Sequence, residues 1–294
     1  PGRLSGTGEN GMNKGQNAEV PAAETKRRVL VPGIFDDIRS TRVRLLQEAA
    51  KNGAVTVLLQ TDEYASATTG NLPKFGFSER RYFLESLHFV ERVTAFDTAA
   101  DYTAAGTQPD LLRDITAALH AGPFDMLCTD TAGDCPVYAE ACREQGTAYR
   151  VFTKEELTGY PEPASGYHSP SFGRPKVVVT GCYDWFHTGH IRFFEEASHH
   201  GELHVVLGND ANLELLKGAG HPMYREDERK YLVQSVRFVE KAYIATGAGW
   251  LDAEPEIRKV RPAVYAVNED GDKPVKRKFC KQNGIRYRSE ERRV

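Results

Sequence analysis

Two hydrophobic periods alternate along the second half of the chain. Runs rich in β-branched residues at 176–180, 203–207, 263–267 and 285–288 predict strands. Between them, stretches near 189–200, 225–235, 252–260 and 274–283 place apolar residues at helical spacing. Alternating strands and helices predict an α/β fold with a mainly parallel sheet, right-handed crossovers and helices on both faces. Ligands of such sheets bind beyond the carboxyl ends of the strands, so the loop after Thr180 is where chemistry is expected.

The first half has the same rhythm, and the two halves align. Shifted by 148 positions, VLVPGIFDDIRSTRVRLLQE from Val29 lies over VVVTGCYDWFHTGHIRFFEE from Val177. One residue further out, SERRYFLESLHFVER from Ser78 lies over DERKYLVQSVRFVEK from Asp227, and AGDCPVYAEACREQGTAY from Ala132 matches DGDKPVKRKFCKQNGIRY from Asp270. Three blocks in one order predict an internal duplication, hence two tandem Rossmann-like domains. Polar, Pro/Gly/Ser-rich sequence predicts a disordered tail over 1–26 and a linker over 158–175, leaving domains at 27–157 and 176–294.

Composition narrows the function. The chain has 294 residues, enough for two cores of roughly 150 residues each. No apolar run approaches the ~18 residues of a membrane helix. With 38 Lys and Arg against 41 Asp and Glu there is no basic field to hold nucleic acid. Five cysteines without a CxxC pair indicate neither a disulfide frame nor a zinc site. A cytoplasmic protein is expected. Gly6, Gly8 and Gly11 spell GxGxxG, but no strand precedes them and no helix follows, so the dinucleotide reading is rejected.

The loop after the first strand of the second half reads Gly181-Cys182-Tyr183-Asp184-Trp185-Phe186-His187-Thr188-Gly189-His190, and a helix starts there. Amide groups at a helix start attract phosphate, and glycines let a ligand approach the main chain. His187 and His190, three apart, face one way if the turn is helical. Two donors aimed at one phosphate stabilise charge that develops on it during transfer.

GxYDxxHxGH resembles the GxFDxxHxGH signature of the cytidylyltransferase-like nucleotidyltransferases. The resemblance continues in order through Asp210, Lys217-Gly218, Glu228-Arg229, Arg237-Phe238-Val239-Glu240, Trp250 and Asn268-Glu269-Asp270. It implies transfer of a nucleoside monophosphate to a phosphate monoester, with pyrophosphate released and no covalent enzyme intermediate. His187, His190 and Lys217 would be catalytic. Gly181, Cys182, Tyr183, Asp184, Gly189 and Asp210 would serve the nucleotide, Asp184 by supporting the loop. Trp250, Asn268, Glu269 and Asp270 would meet the acceptor, and Mg²⁺ would accompany the triphosphate. Trp250 reads as readily as a rim residue, and Asn268 to Asp270 as a turn before Pro274. Arg229 reads as structural, because its counterpart Arg80 persists in the other half.

In the first half Arg39, Thr41 and Arg42 stand opposite His187, Gly189 and His190, so that half is expected to be catalytically silent. Family members dimerise through the Arg-Tyr-Val-Asp region. Phe89-Val90-Glu91 and Phe238-Val239-Glu240 are therefore expected to meet across a pseudo-two-fold axis, making an intramolecular pseudo-dimer. The Ser/Thr-rich loop that follows the family's last strand would start where the sequence stops, at Arg292-Arg293-Val294, and the expectation is a sequence cut short.

The leading expectation is CMP transfer from CTP to an acceptor of the phosphocholine, phosphoethanolamine or glycerol 3-phosphate type. The Lys217-Gly-x-Gly-x-Pro222 stretch also resembles adenylyltransferases acting on sugar phosphates. A non-catalytic nucleotide-binding protein is the third reading.

Overall fold

Val29, Leu30 and Val31 are buried on both faces of β1 (Arg28–Gly33), the signature of a central parallel strand covered on both sides. From it the chain runs through α1 (Ser40–Ala50), β2 (Ala54–Gln60), α2 (Asp62–Thr69), α3 (Phe77–Glu85), β3 (Arg92–Phe96), α4 (Leu111–Ala121), β4 (Met126–Asp130), α5 (Pro136–Gln145) and β5 (Ala148–Phe152). The second half repeats the pattern with β6 (Lys176–Gly181), α6 (Thr188–Ser198), β7 (Glu202–Leu207), α7 (Asp210–Lys217), α8 (Glu226–Gln234) and β8 (Lys241–Ile244). It ends with a 3₁₀ turn (Gly249–Leu251), α9 (Glu254–Val260), β9 (Val264–Asn268), α10 (Pro274–Gln282) and β10 (Arg286–Glu290). The computed structural model describes Gly2 and residues 26–96, 110–163, 173–268 and 271–290. The expected disordered tail, apart from Gly2 and Lys26, and residues 164–172 of the expected linker lie outside these.

Both sheets are five-stranded and parallel, in the orders β3-β2-β1-β4-β5 and β8-β7-β6-β9-β10. Leu30 sits beside Leu127 in the first sheet and Val178 beside Tyr265 in the second, so aligned residues occupy the same points of the two sheets. The sequence reading contained neither α7 nor β8.

Strand side chains alternate between faces. Val177, Val179 and Val205 turn toward a core shared with Val29, Val31 and Val57 of the other half, built through α1, α3, α6 and α8. Val178, Val206 and Tyr265 turn the other way, against Ile257 of α9 and Phe279 of α10. The equivalent outer core of the first half holds Leu30 with Ile115 of α4 and Ala141 of α5.

The halves also join through the main chain. Leu87 and Val236 form an antiparallel bridge. His88 N donates to Ser235 O at 3.0 Å and Arg237 N to Ser86 O at 2.9 Å. These main-chain bonds fall just before the two Phe-Val-Glu segments that sequence singled out, and the Arg237 guanidinium reaches Val90 O at 2.8 Å. The reason is local: Glu91 N and Glu240 N already donate to Val55 O and Leu203 O of their own halves, leading into β3 and β8.

Candidate active site

The loop after β6 is held by buried polar groups. Tyr183 takes φ 52°, a left-handed conformation uncommon for a residue with a side chain. Its ring covers Gly181, where a Cβ would come within 2.7 Å of it, so only glycine fits beneath. Asp184 is buried and accepts from Met223 N at 2.8 Å, Tyr224 N at 3.1 Å and His221 Nδ1 at 3.2 Å. Burial pushes its pKa up, but those donors and the charge of Lys217 outweigh it and hold the carboxyl below its ordinary value.

Arg229 is fully buried on α8. It donates to the carbonyls of Tyr224, Cys182 and Gly208 and to the Asp210 carboxylate at 2.8 Å, tying the loop to the ends of β7 and α7. A guanidinium buried without such acceptors would be costly, and here its fork is used on all sides.

His187 caps α6. Its Nδ1 accepts from Gly189 N at 3.1 Å, and the Nδ1 of His190 accepts from His187 N at 3.4 Å, a reciprocal capping arrangement. A Cβ on Gly189 would lie 2.8 Å from the His187 ring, so glycine is required there too. The ring centroids are 4.1 Å apart, with Phe186 stacked on His190 at 5.7 Å and the Tyr183 ring edge-on at 5.2 Å. With Nδ1 accepting in both rings, the neutral imidazoles carry their proton on Nε2. Both rings line one cavity of about 890 Å³ above the carboxyl ends of the second sheet.

Gly181, Cys182, Tyr183, Asp184, Gly189, Lys217, Trp250 and Asn268 also line this cavity. Lys217 closes α7 instead of sitting in a free loop. Trp250 is exposed, and Lys273 Nζ lies 5.0 Å from its ring. Asn268 Oδ1 accepts from Gly271 N at 3.0 Å, the turn that Asp130 Oδ1 makes with Gly133 N in the first half. Asp210 is not among the residues lining the cavity, and its carboxylate is paired with Arg229 at 2.8 Å. Tyr183 lines the cavity while being only 4% exposed, its ring packed over Gly181. The Glu269 and Asp270 expectations lie outside the described residues.

Sequence reasoning missed several residues. Asn212 holds the Trp250 turn by accepting from Gly249 N at 2.7 Å and donating to Asp252 Oδ2 at 2.8 Å. Burial raises the pKa of Asp252. Glu79 of the first half reaches the cavity wall and pairs with Arg192 of α6 at 3.5 Å. Lys273, the N-cap of α10, and Lys276 of α10 complete the wall.

The Cytidylyltransferase-like family model matches residues 178–278. An FAD synthase of Aciduliprofundum boonei is 31% identical over 116 residues, covering 38% of this chain and 74% of that protein. An FAD synthase of Methanocella arvoryzae is 30% identical over 114 residues, 38% of this chain and 77% of that one. The chain belongs to the cytidylyltransferase-like family. A third family relative, the bifunctional protein HldE of Aliarcobacter butzleri, is 27% identical over 117 residues, 40% of this chain and 24% of its own. Against that relative the chain spans about a quarter of the length. Among the described residues no helix is long and apolar enough to cross a membrane.

Proposed function

We propose that the cavity of the second sheet transfers a nucleoside monophosphate from a nucleoside triphosphate to a small phosphate monoester. One observation carries the reading: two imidazoles with centroids 4.1 Å apart stand at the N-terminus of α6 beside a cavity large enough for both reactants. An oxygen of the acceptor phosphate attacks the α-phosphorus and forms a new P–O bond. The bond from that phosphorus to the bridging oxygen of the β-phosphate breaks, and its electron pair leaves with pyrophosphate. The Nε2–H groups of His187 and His190 and the N-terminal dipole of α6 oppose the charge that grows on the phosphoryl oxygens, and Lys217 neutralises the triphosphate. Positioning supplies most of the rest.

Mg²⁺ is proposed as a companion of the triphosphate. Among the described residues no group of three or more His, Cys, Asp or Glu side chains comes together as a cage, so no step is assigned to a protein-held ion.

CTP is the first reading of the nucleotide, from Trp250 and the segment at Asn268. A second reading, ATP, is favoured by the FAD synthase relatives, whose product contains an adenylyl group, and by the Lys217-to-Pro222 stretch. Incubating the full chain with α-labelled CTP or ATP and a panel of choline, ethanolamine, glycerol and sugar phosphates separates the two. Label in the product from CTP supports the first, and from ATP the second. Inertness with every pair removes both and leaves a non-catalytic nucleotide-binding protein.

The first half is proposed as a silent stand-in for a second subunit. The reciprocal bonds between His88 and Ser235 and between Arg237 and Ser86 support a pseudo-two-fold relation between the halves.

A further inference from the structure

Beneath the histidine cradle, the second sheet carries a polar floor that the first lacks. Thr180 and Tyr265 join hydroxyls at 2.7 Å, and Lys276 Nζ donates to Thr180 Oγ1 at 3.2 Å. Tyr265 is 1% exposed, so this pair sits deep between β6 and β9. The Tyr183 hydroxyl is buried and has no hydrogen-bond partner among the described residues, although its residue lines the same cavity. A buried hydroxyl left without a partner costs free energy unless something fills its place. At the aligned positions the first half has Pro32, Phe35, Leu127 and Tyr138, so none of the three hydroxyls and not the amine.

Lys276 is also short of compensation. Burial lowers its pKa and Lys273 acts in the same direction, while Asp252, Cys182 and Asp272 act against them. Among the described residues no carboxylate lies within ion-pair distance of it, and the Tyr265 ring lies 5.8 Å from it. A half-buried ammonium that lines the cavity with no carboxylate paired to it is a site for an anion with several acceptor oxygens.

We infer that Lys276, with Thr180 and Tyr183, holds a second phosphate group of the reactants on the cavity floor, apart from the phosphate gripped by His187, His190 and Lys217. The inference rests on the nucleotidyltransferase reading and adds a residue set to it. Two phosphates must be brought together for the transfer, and apart from Arg192, which pairs with Glu79, the cations lining the cavity fall into two sets: Lys217 at the end of α7, and Lys273 with Lys276 at the start of α10.

The test has two independent arms. Inorganic phosphate is titrated calorimetrically into the full chain and into Lys276→Gln, Lys276→Arg and Tyr183→Phe. Loss of a charged hydrogen bond should weaken binding about 10-fold or more in Lys276→Gln, with Lys276→Arg retaining most of it and Tyr183→Phe losing less. Unchanged binding in Lys276→Gln overturns the inference, whether or not the protein turns over. Steady-state kinetics then locates the phosphate. A KM rise confined to the phosphate monoester assigns the floor to the acceptor, one confined to the triphosphate assigns it to the nucleotide, and no change in either overturns the inference. If phosphate binding depends on Lys276 but no triphosphate reacts with any acceptor, the transfer reading fails while the floor stands.

Discussion

Phe35 and Tyr183 both take φ 52°, and each ring covers a glycine, Gly33 or Gly181. Asp36 accepts from Lys74 N and Phe75 N as Asp184 does from Met223 N and Tyr224 N. Arg80 donates to Phe75 O, Ile34 O, Gln60 O and Asp62, repeating the set around Arg229. The loops differ elsewhere. Arg39 is paired with Asp37 at 2.7 Å and lies over the rings of Trp185 and Tyr224, while Arg42 is bound to Asp130 at 2.8 Å. The arginines that replaced the histidines are therefore spent on structure and on the seam between halves. What both loops share is scaffold, and what only one has is left to account for chemistry.

The largest effect expected from this comparison concerns the shared arginines. Arg229→Met strands three carbonyls and a carboxylate in a buried site and should cost about 3–5 kcal/mol. Arg80→Met should cost a similar amount, although its half is proposed as silent. Urea unfolding midpoints at constant slope measure both. A cost below about 1 kcal/mol for Arg80→Met would break the claim that the arginine is scaffold.

Next comes the cradle itself. His187→Ala or His190→Ala should lower kcat about 10²–10³-fold, as for removal of one donor to transition-state charge. Pyrophosphate release reports the rate, and circular dichroism checks that the loss of a helix cap has not unfolded α6. A variant that keeps full turnover would move the chemistry away from these rings.

A smaller effect separates loop support from chemistry. The Asp184 carboxyl titrates below its ordinary value when folded, so its contribution to stability is present above about pH 4, the value of a free aspartate, and is lost as pH falls through the folded pKa. Asp184→Asn should therefore be less stable than the parent at neutral pH and converge on it in acid. Stability measured against pH with an unchanged gap at every pH would refute the assignment.

Much of this was readable in the sequence, for definite reasons. Strands buried on both faces announce themselves as runs such as Val177-Val178-Val179, and the alignment of the two halves indicated where the loops had to fall. The strand β8 reads Lys-Ala-Tyr-Ile, lies at the sheet edge and buries only Ala242 well, so it has no comparable run. In α7 the apolar residues Leu215 and Leu216 point outward, at 71% and 36% exposure, which hides its periodicity. The pairing of Asp210 with Arg229 was not legible, because motif position does not tell which way a carboxylate turns. Lys276 was invisible for the opposite reason. In a stretch as basic as Lys273 to Lys281 every lysine reads as solvated, and only the register of β9 beside β6 puts this one over Tyr265 and Thr180.

The last prediction is of no effect, and it sharpens the comparison most. Arg39→His, Thr41→Gly and Arg42→His together rebuild the HxGH pattern in the first half, and in a His187→Ala background they should restore no transfer above that variant's residual rate. The reason lies under the loop. Pro32, Phe35 and Leu127 offer no hydroxyls, Tyr138 stands where Lys276 does, and burial pushes the Tyr138 hydroxyl up to about 12, so it adds no charge. The graft also frees Asp130, a buried carboxylate now neutralised by Arg42, directly beside the rebuilt cradle. A negative group there repels the phosphate that the imidazoles would attract. Recovery of pyrophosphate release by the triple substitution would show that two rings on the shared scaffold suffice, and that the polar floor of the second half is dispensable.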